Sequence, residues 1–147
     1  MAARVSLREI TRENLRAVCD LDVLPEQREF VARNTFSLAE AYAEPRAWPR
    51  AIYADETPVG FLMLHEDREA CRYFLWRMMI DARYQGNGYG KAALDLLRDH
   101  VQSLPGATEL LSSYGAGDAG PGTFYRSYGF IETGERTHGE IVIRLAL

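Results

Sequence analysis

The chain has 147 residues, which fits a single domain spanning residues 1–147 and allows a stable core without disulfides or a structural metal. Its formal net charge of −4 argues against a general binder of nucleic-acid phosphates, and its two cysteines, Cys19 and Cys71, match no metal-site or disulfide spacing. It has no apolar run typical of a membrane helix or a secretory signal, so the sequence predicts a soluble, cytoplasmic protein without nucleic-acid or membrane partners.

Hydrophobic periodicity and turn residues divide the chain into seven strands and four helices. A strand at 5–10 precedes a helix that Thr11 caps and Pro25 ends, and a Ser37–Glu40 capping box opens a second helix that Pro45 closes. The other predicted elements are strands at 50–54, 59–64 and 73–80, a turn at 66–69, a helix from Tyr89 or Gly90 to before Pro105, a strand at 109–113, a short helix ending at Tyr128, and a hairpin at 130–133 and 141–145.

This order, β-α-α-β-β-β-α-β-α-β-β, predicts the fold class. Three consecutive strands without crossover helices exclude a Rossmann unit. The expected fold is therefore α/β (α+β), with a mixed, mostly antiparallel sheet flanked by helices.

The chemically informative segment joins an apolar strand to an amphipathic helix through Gly86, Gly88 and Gly90. Alternate glycines let backbone N–H groups converge on one point, and the following helix N-terminus adds unpaired donors and partial positive charge. This predicts a cradle for a diphosphate, with Lys91 adding charge. A Walker loop is excluded because Gln85 stands at its first glycine position, and no βαβ unit supports a dinucleotide fingerprint. The alternative is a tight turn that uses glycine for backbone reasons alone.

Two motifs in register resemble the GNAT family of N-acetyltransferases. Gln85-x-x-Gly88-x-Gly90 matches the family's acetyl-coenzyme A signature at a strand–helix junction, and residues 124–130 resemble its F-Y-x-x-x-G-F segment. The resemblance covers almost the whole chain and implies the GNAT fold, acetyl-CoA as co-substrate and an acetyl-CoA-dependent N-acetyltransferase activity. Residues 27–32, 37–42 and 53–61 are further similar to bacterial polyamine (spermidine/spermine) acetyltransferases, which implies a polyamine or diamine substrate.

The resemblance also implies roles for individual residues. Backbone groups of Met78, Met79 and Ile80 are expected to hold the pantetheine arm, and Asp118 is expected to contact the coenzyme. Tyr125 corresponds to the general acid, because a phenol with a pKa of about 10 can protonate a departing thiolate whose thiol has a pKa of about 8.5; the alternative is an aromatic anchor for its helix. The residues expected to hold the diphosphate are Gln85, Gly86, Asn87, Gly88, Tyr89, Gly90 and Lys91.

The acceptor amine also needs a proton acceptor, because an alkylamine with a pKa of about 10.4 is almost fully protonated at neutral pH. Similar polyamine enzymes often carry a carboxylate on the strand before the glycines, where this chain reads Leu75-Trp76-Arg77. We therefore expect Glu29 or the acidic turn that contains Glu66 to supply it. Trp76 is expected to contact the amine by cation–π interaction or, alternatively, to pack in the core.

Three functional interpretations remain open. The first is acetylation of the primary amine of a small molecule, with a polyamine preferred. The second is acetylation of another amine, such as an aminoglycoside, an amino acid or a peptide N-terminus. The third is a non-catalytic acetyl-CoA-binding regulatory module, which the missing strand carboxylate favours and Tyr125 disfavours. The closing hairpin offers edge strands for pairing in a homodimer.

Overall fold

The computed structural model describes residues 2–147 and has the predicted order of elements. The strands are β1 (Val5–Arg8), β2 (Ala47–Ala54), β3 (Thr57–Asp67), β4 (Arg72–Ile80), β5 (Glu109–Tyr114), β6 (Ile131–Thr137) and β7 (Glu140–Ala146). The helices are α1 (Leu15–Asp20), α2 (Asn34–Ala43), α3 (Tyr89–Gln102) and α4 (Gly122–Tyr128). They form one seven-stranded sheet in the order β1-β2-β3-β4-β5-β7-β6, in which the β4–β5 pair is parallel and the other pairs are antiparallel. In residues 2–147, no helix has the length and apolar character needed to cross a membrane.

The predicted bounds of the first two helices were wrong. α1 ends at Asp20, and Pro25 begins a separate short 3-10 turn. α2 begins at Asn34, three residues before the predicted capping box, so Ser37 lies fully buried inside the helix. The Asn34 side-chain amide donates to the carbonyl oxygen of Val18 at 2.9 Å, which anchors α2 against α1 through a contact that no local pattern encodes.

The strand β3 is longer than predicted and divides the core into two parts. Leu62 and Leu64 pack against α3, whereas Phe61 and Met63 pack on the opposite side with α1. Because both faces of β3 are covered, its sequence is a continuous apolar run rather than an alternating one. We call the side of the sheet that carries α3 and α4 the coenzyme face and the side that carries α1 and α2 the acceptor face.

The parallel strands β4 and β5 separate after two paired positions. Phe74 pairs with Leu111 and Leu75 pairs with Ser112, but β4 continues to Ile80. A register shift between Met63 and Leu64 of β3 lies opposite Trp76, and such a bulge bends a strand away from its neighbour. The gap that opens beyond Leu75 and Ser112, here called the fork, leaves one backbone edge of β4 without a strand partner.

Candidate active site

A cleft of about 1380 Å³ passes through the fork and is lined from both faces of the sheet. On the coenzyme face its walls are the glycine loop (residues 85–90), the start of α3 and the start of α4. On the acceptor face they include residues of the α1–α2 segment and the β6–β7 hairpin. The fork therefore borders space on both faces of the sheet.

The predicted pantetheine site lies along the free edge of β4. Met78, Met79 and Ile80 all line the cleft, and their side chains pack into the core on alternating faces. Packed side chains leave the backbone N–H and C=O groups to face the gap, as a strand edge does when it receives an extended, amide-containing ligand.

The glycine loop has the backbone geometry of an anion cradle. Gly86 and Gly88 have φ values of +83° and +80°, in the left-handed region that favours glycine. A Cβ at either position would meet no atom within 4 Å, so the space beside both residues is open. The first hydrogen bond of α3 joins the Ala92 N–H to the carbonyl oxygen of Gly88, so the N–H groups of residues 89–91 have no partner within the helix. The loop thus fits a diphosphate, which supplies acceptors and negative charge.

The side chains of the loop make contacts within the protein. The Gln85 amide donates to the carbonyl oxygen of Ile80 at 2.9 Å and exchanges hydrogen bonds with the Gln27 amide, so this side chain fixes the loop. The Asn87 amide donates to the carbonyl oxygen of Tyr84 at 2.9 Å. Lys91 is largely exposed, with its Nζ 3.8 Å from a carboxylate oxygen of Asp95. The Gln85 and Asn87 side chains are thus engaged in internal hydrogen bonds, and the unpaired donors of the loop are backbone N–H groups.

Replacing Gly88 with alanine is expected to separate backbone strain from ligand contact. Alanine in the left-handed conformation of residue 88 should lower the free energy of unfolding by about 1 kcal/mol. The added methyl group also enters the open cradle, so the affinity for coenzyme A, measured by calorimetry, should fall at least about tenfold. Gly134→Ala is the matched control, because Gly134 has a φ of +88°, an equally open surrounding and a position in β6 outside the cleft lining. If both variants bind coenzyme A equally well, the cradle does not hold the coenzyme.

Tyr125 lies at the closed end of the fork, on the coenzyme face. It is 5% exposed, and its ring packs edge-on against Phe130 with the centroids 5.3 Å apart. Ser112, at the last paired position of β5, donates its hydroxyl to the carbonyl oxygen of Leu75 at 2.8 Å and lies next to the phenol. Burial raises the pKa of Tyr125 to about 12; a hydrogen bond with Ser112 opposes the increase, and the negative charge of Glu140 adds to it. The phenol is therefore neutral and carries a proton at physiological pH.

The predicted substrate residues do not come together. Trp76 and the exposed Glu29 both line the cleft. Glu66 does not, because β3 extends through Asp67 and the alternation of side chains puts Glu66 on the coenzyme face, where it contacts His100 of α3 and Arg68. Asp118 is exposed, and the described lining includes its neighbours 119–121 but not Asp118 itself.

Three further carboxylates line the cleft, those of Glu40, Glu135 and Glu140. Glu40 of α2 forms a salt bridge of 2.8 Å with Arg77 of β4. Glu140, the first residue of β7, accepts a hydrogen bond of 2.8 Å from the Ser113 hydroxyl of β5. Glu140 is brought to the cleft by the pairing of β7 with β5, so no local spacing reveals it.

Comparison with known proteins gives matches over nearly the whole chain. The model of the "Acetyltransferase (GNAT) family" matches residues 5–130. The spermine/spermidine N(1)-acetyltransferase of Bacillus subtilis is 28% identical over 137 residues, which are 89% of this chain and 90% of that protein. A crystal structure of an acetyltransferase from Thermus thermophilus has a TM-score of 0.77 at 21% identity and covers 100% of both chains. The PaiA N-acetyltransferase from Thermoplasma acidophilum, solved in complex with coenzyme A, has a TM-score of 0.71 at 15% identity and covers 98% of this chain and 99% of that one.

Proposed function

The chain belongs to the GNAT family of acetyltransferases, whose acetyl donor is acetyl-CoA, and on that premise we propose that it acetylates the primary amine of a small molecule with Tyr125 as general acid. The observation that carries the proposal is the position of the Tyr125 phenol beside Ser112 at the closed end of the fork, with the glycine loop at the other end of the free edge of β4. A phenol at that point lies beside the thioester of a coenzyme whose arm follows β4 and whose diphosphate lies in the loop.

The proposed reaction divides between the two faces of the sheet. The coenzyme enters from the coenzyme face, and the amine approaches the fork from the acceptor face. The neutral amine nitrogen attacks the thioester carbonyl, its lone pair becomes the new N–C bond, and the C–S electron pair leaves with sulfur. Tyr125 donates its proton to that sulfur, and the nitrogen gives up the proton that the amide does not retain.

The raised pKa of Tyr125 changes the expected energetics of this step. Between free groups, transfer from a phenol to a thiolate is nearly balanced. In the fold the phenol is a weaker acid, so the transfer is favourable only if the thiolate is destabilised as well. Burial disfavours every anion that lacks a partner, and the departing sulfur shares the buried end of the fork with the phenol. Proton donation by Tyr125 thus becomes energetically favourable as negative charge develops on the departing sulfur.

A polyamine or diamine is the first candidate acceptor. The similarity to an enzyme named for spermine and spermidine supports it, as do Glu29, Glu135 and Glu140 along the cleft, which favour an acceptor with several positive charges. Trp76, also in the lining, offers a face for a cation–π contact with an alkylammonium.

A second candidate is an amine that also carries a carboxylate, such as an amino acid or a peptide N-terminus. Arg72 of β4 is exposed and lines the cleft, on the same face of the strand as Phe74, over which its guanidinium lies 5.4 Å from the ring centroid. A guanidinium in that position suits an acidic group of the acceptor. Because Glu40 is already paired with Arg77, the cleft is less acidic than its count of carboxylates implies.

A thiol-release assay across a panel of amines tests the proposal. We expect release of free coenzyme A from acetyl-CoA with spermidine, spermine or putrescine, and product masses increased by one acetyl group. Amino acids and short peptides in the same panel test the second candidate. If no amine in the panel supports turnover while calorimetry detects tight coenzyme binding, the chain is a coenzyme-binding regulatory module and the proposal is wrong.

A further inference from the structure

We propose that Glu140 is the carboxylate that receives the amino group of the acceptor and takes up the proton that the attacking nitrogen releases. This inference rests on the proposed function and supplies the base that β4 lacks. Its support comes from the position of Glu140 on the sheet, from its partners and from the positions of the other carboxylates near the cleft.

The alternation of side chains along β7 places Glu140 on the acceptor face. Ile141, Ile143 and Leu145 pack into the core on the coenzyme face, so Glu140 and Val142 point the other way. Val142 pairs directly with Ser113 of β5, and the Ser113 hydroxyl donates diagonally to Glu140. Glu140 thus borders the fork on the side opposite Tyr125.

Electrostatics connects the two groups across the fork. The negative charge of Glu140 is one of the causes that raise the pKa of Tyr125, which requires the carboxylate and the phenol to lie within electrostatic reach. A thioester between them would have its sulfur beside the phenol and its carbonyl carbon open toward the carboxylate. This arrangement matches what the reaction needs, with an acid at the leaving sulfur and a base at the entering nitrogen.

The other carboxylates near the cleft are less suited to this role. Glu40 is paired with Arg77 at 2.8 Å, and Glu66 faces α3. Glu29 is exposed in the segment before α2, where water screens its charge. Glu140 is half-buried, and its described partner is the neutral Ser113 hydroxyl rather than a cation, so no described salt bridge occupies this carboxylate. The other titratable or charged residues that line this part of the cleft are His65, Arg72, Arg77, Tyr125, Glu135, Arg136 and His138.

The complete step moves three protons. An ammonium loses one proton to solvent to become the attacking amine, and its nitrogen loses a second as the N–C bond forms and the C–S bond breaks. Glu140 takes up the proton of the nitrogen that has just bonded to carbon, because acylation makes that nitrogen far more acidic than the free ammonium. Tyr125 gives one proton to sulfur and regains one from solvent, and Glu140 releases its proton to solvent. The net reaction converts ammonium and thioester into amide, thiol and one released proton.

The test is Glu140→Gln in the full chain, assayed for thiol release with spermidine and with trifluoroethylamine, whose amine is largely neutral at pH 7. A missing base should lower kcat for spermidine at least about 100-fold. The loss for trifluoroethylamine should be at least about tenfold smaller, because its acylated nitrogen releases its proton more readily to water. Glu140→Asp should recover part of the rate. Calorimetry with coenzyme A should give the same Kd for wild type and Glu140→Gln, which shows that the variant is folded and that its coenzyme site is intact.

The control is Glu132→Gln, which removes the same charge from the same hairpin at an exposed position outside the cleft lining. It should change kcat less than about threefold and keep the wild-type pH profile. Equal losses in the two variants, or equal losses for the two amines in Glu140→Gln, would show a general field effect and overturn the inference. So would a Glu140→Gln variant that retains wild-type kcat. A wild-type protein inactive toward every amine instead refutes the proposed function, and the role of Glu140 with it.

Discussion

Replacing Tyr125 with phenylalanine is expected to lower kcat for amine acetylation between about 100- and 10,000-fold, which is the usual contribution of a positioned general acid. The substitution removes one oxygen from a ring that is 5% exposed and keeps the packing against Phe130, so the fold and the coenzyme site remain. Thiol release measures the rate, and calorimetry with coenzyme A measures binding, which should change less than about threefold.

Tyr128→Phe is the matched control for this variant. Tyr128 lies on the same helix, and burial and its hydrogen bond to Asp95 raise its pKa to about 12 as well, but its hydroxyl donates to Asp95 away from the cleft lining. It should keep nearly all of the wild-type rate. If Tyr125→Phe is as active as Tyr128→Phe, the phenol of Tyr125 is an anchor for α4, and sulfur takes its proton from water.

The same pKa sets an expectation for the pH dependence of the wild-type rate. A phenol whose pKa is about 12 keeps its proton across the whole range in which the protein is assayed. The wild-type rate should therefore rise with pH as the acceptor amine loses its proton. Below about pH 10 it should show no decline caused by ionisation of Tyr125, which would be a decline that is missing in Tyr125→Phe. A decline of that kind near neutral pH would mean that the phenol ionises in the working enzyme.

The sequence was sufficient for those parts of the protein that local geometry determines. The order of strands and helices follows from hydrophobic periodicity, and the loop around Gly86 and Gly88 was found because left-handed backbone is largely restricted to glycine. The position of Tyr125 followed from a motif in register with that loop. These features depend on residues that are close together in the chain.

The parts that the sequence missed depend on contacts between distant segments. Glu66 was expected in a turn, but pairing with β4 extends β3 and directs Glu66 toward His100. Glu140 reaches the fork because β7 pairs with β5, which comes about thirty residues earlier in the chain, and strand register cannot be read from composition alone. The helix α2 begins at Asn34 rather than at the predicted capping box, and the Asn34 side chain makes a tertiary hydrogen bond to α1 there. In each case the competing local pattern was present but weaker than the long-range pairing.

Asp81 lies at the junction where β4 leads into the glycine loop, and its hydrogen bonds allow the contribution of that junction to stability to be tested. The Asp81 side chain is 6% exposed and accepts hydrogen bonds from the backbone N–H groups of Asp22 at 3.0 Å and Arg83 at 2.9 Å. The Arg83 guanidinium also donates to it at 2.9 Å. This carboxylate thus joins the loop to the segment that follows α1, and the Ala82 N–H, which donates to the carbonyl oxygen of Asp22, doubles the connection.

Asp81→Ala is expected to lower the free energy of unfolding at pH 7 by about 1–3 kcal/mol, because it leaves two part-buried N–H groups without their acceptor. Loosening the loop should also weaken coenzyme A binding in calorimetry. Asp20→Ala, at an exposed position at the end of α1, should change stability by less than about 0.5 kcal/mol. Unfolding in urea provides both values, and equal midpoints for the two variants would show that the junction does not stabilise the fold.

The direction of the pKa shift of Asp81 determines how the stability of the fold changes with pH. Burial pushes the pKa of Asp81 upward, but the hydrogen bonds from Arg83 and Asp22 outweigh burial, so the pKa in the folded protein lies below its ordinary value. A depressed pKa stabilises the fold above the unfolded-state pKa of about 3.9, and that stabilisation is lost as the pH falls through the folded-state pKa. Wild type should therefore lose stability between about pH 5 and pH 2 more steeply than Asp81→Asn, which preserves the side-chain shape but has no proton to gain. Parallel curves for the two proteins would mean that the pKa of Asp81 is the same in the folded and the unfolded chain, so that its negative charge does not stabilise the junction.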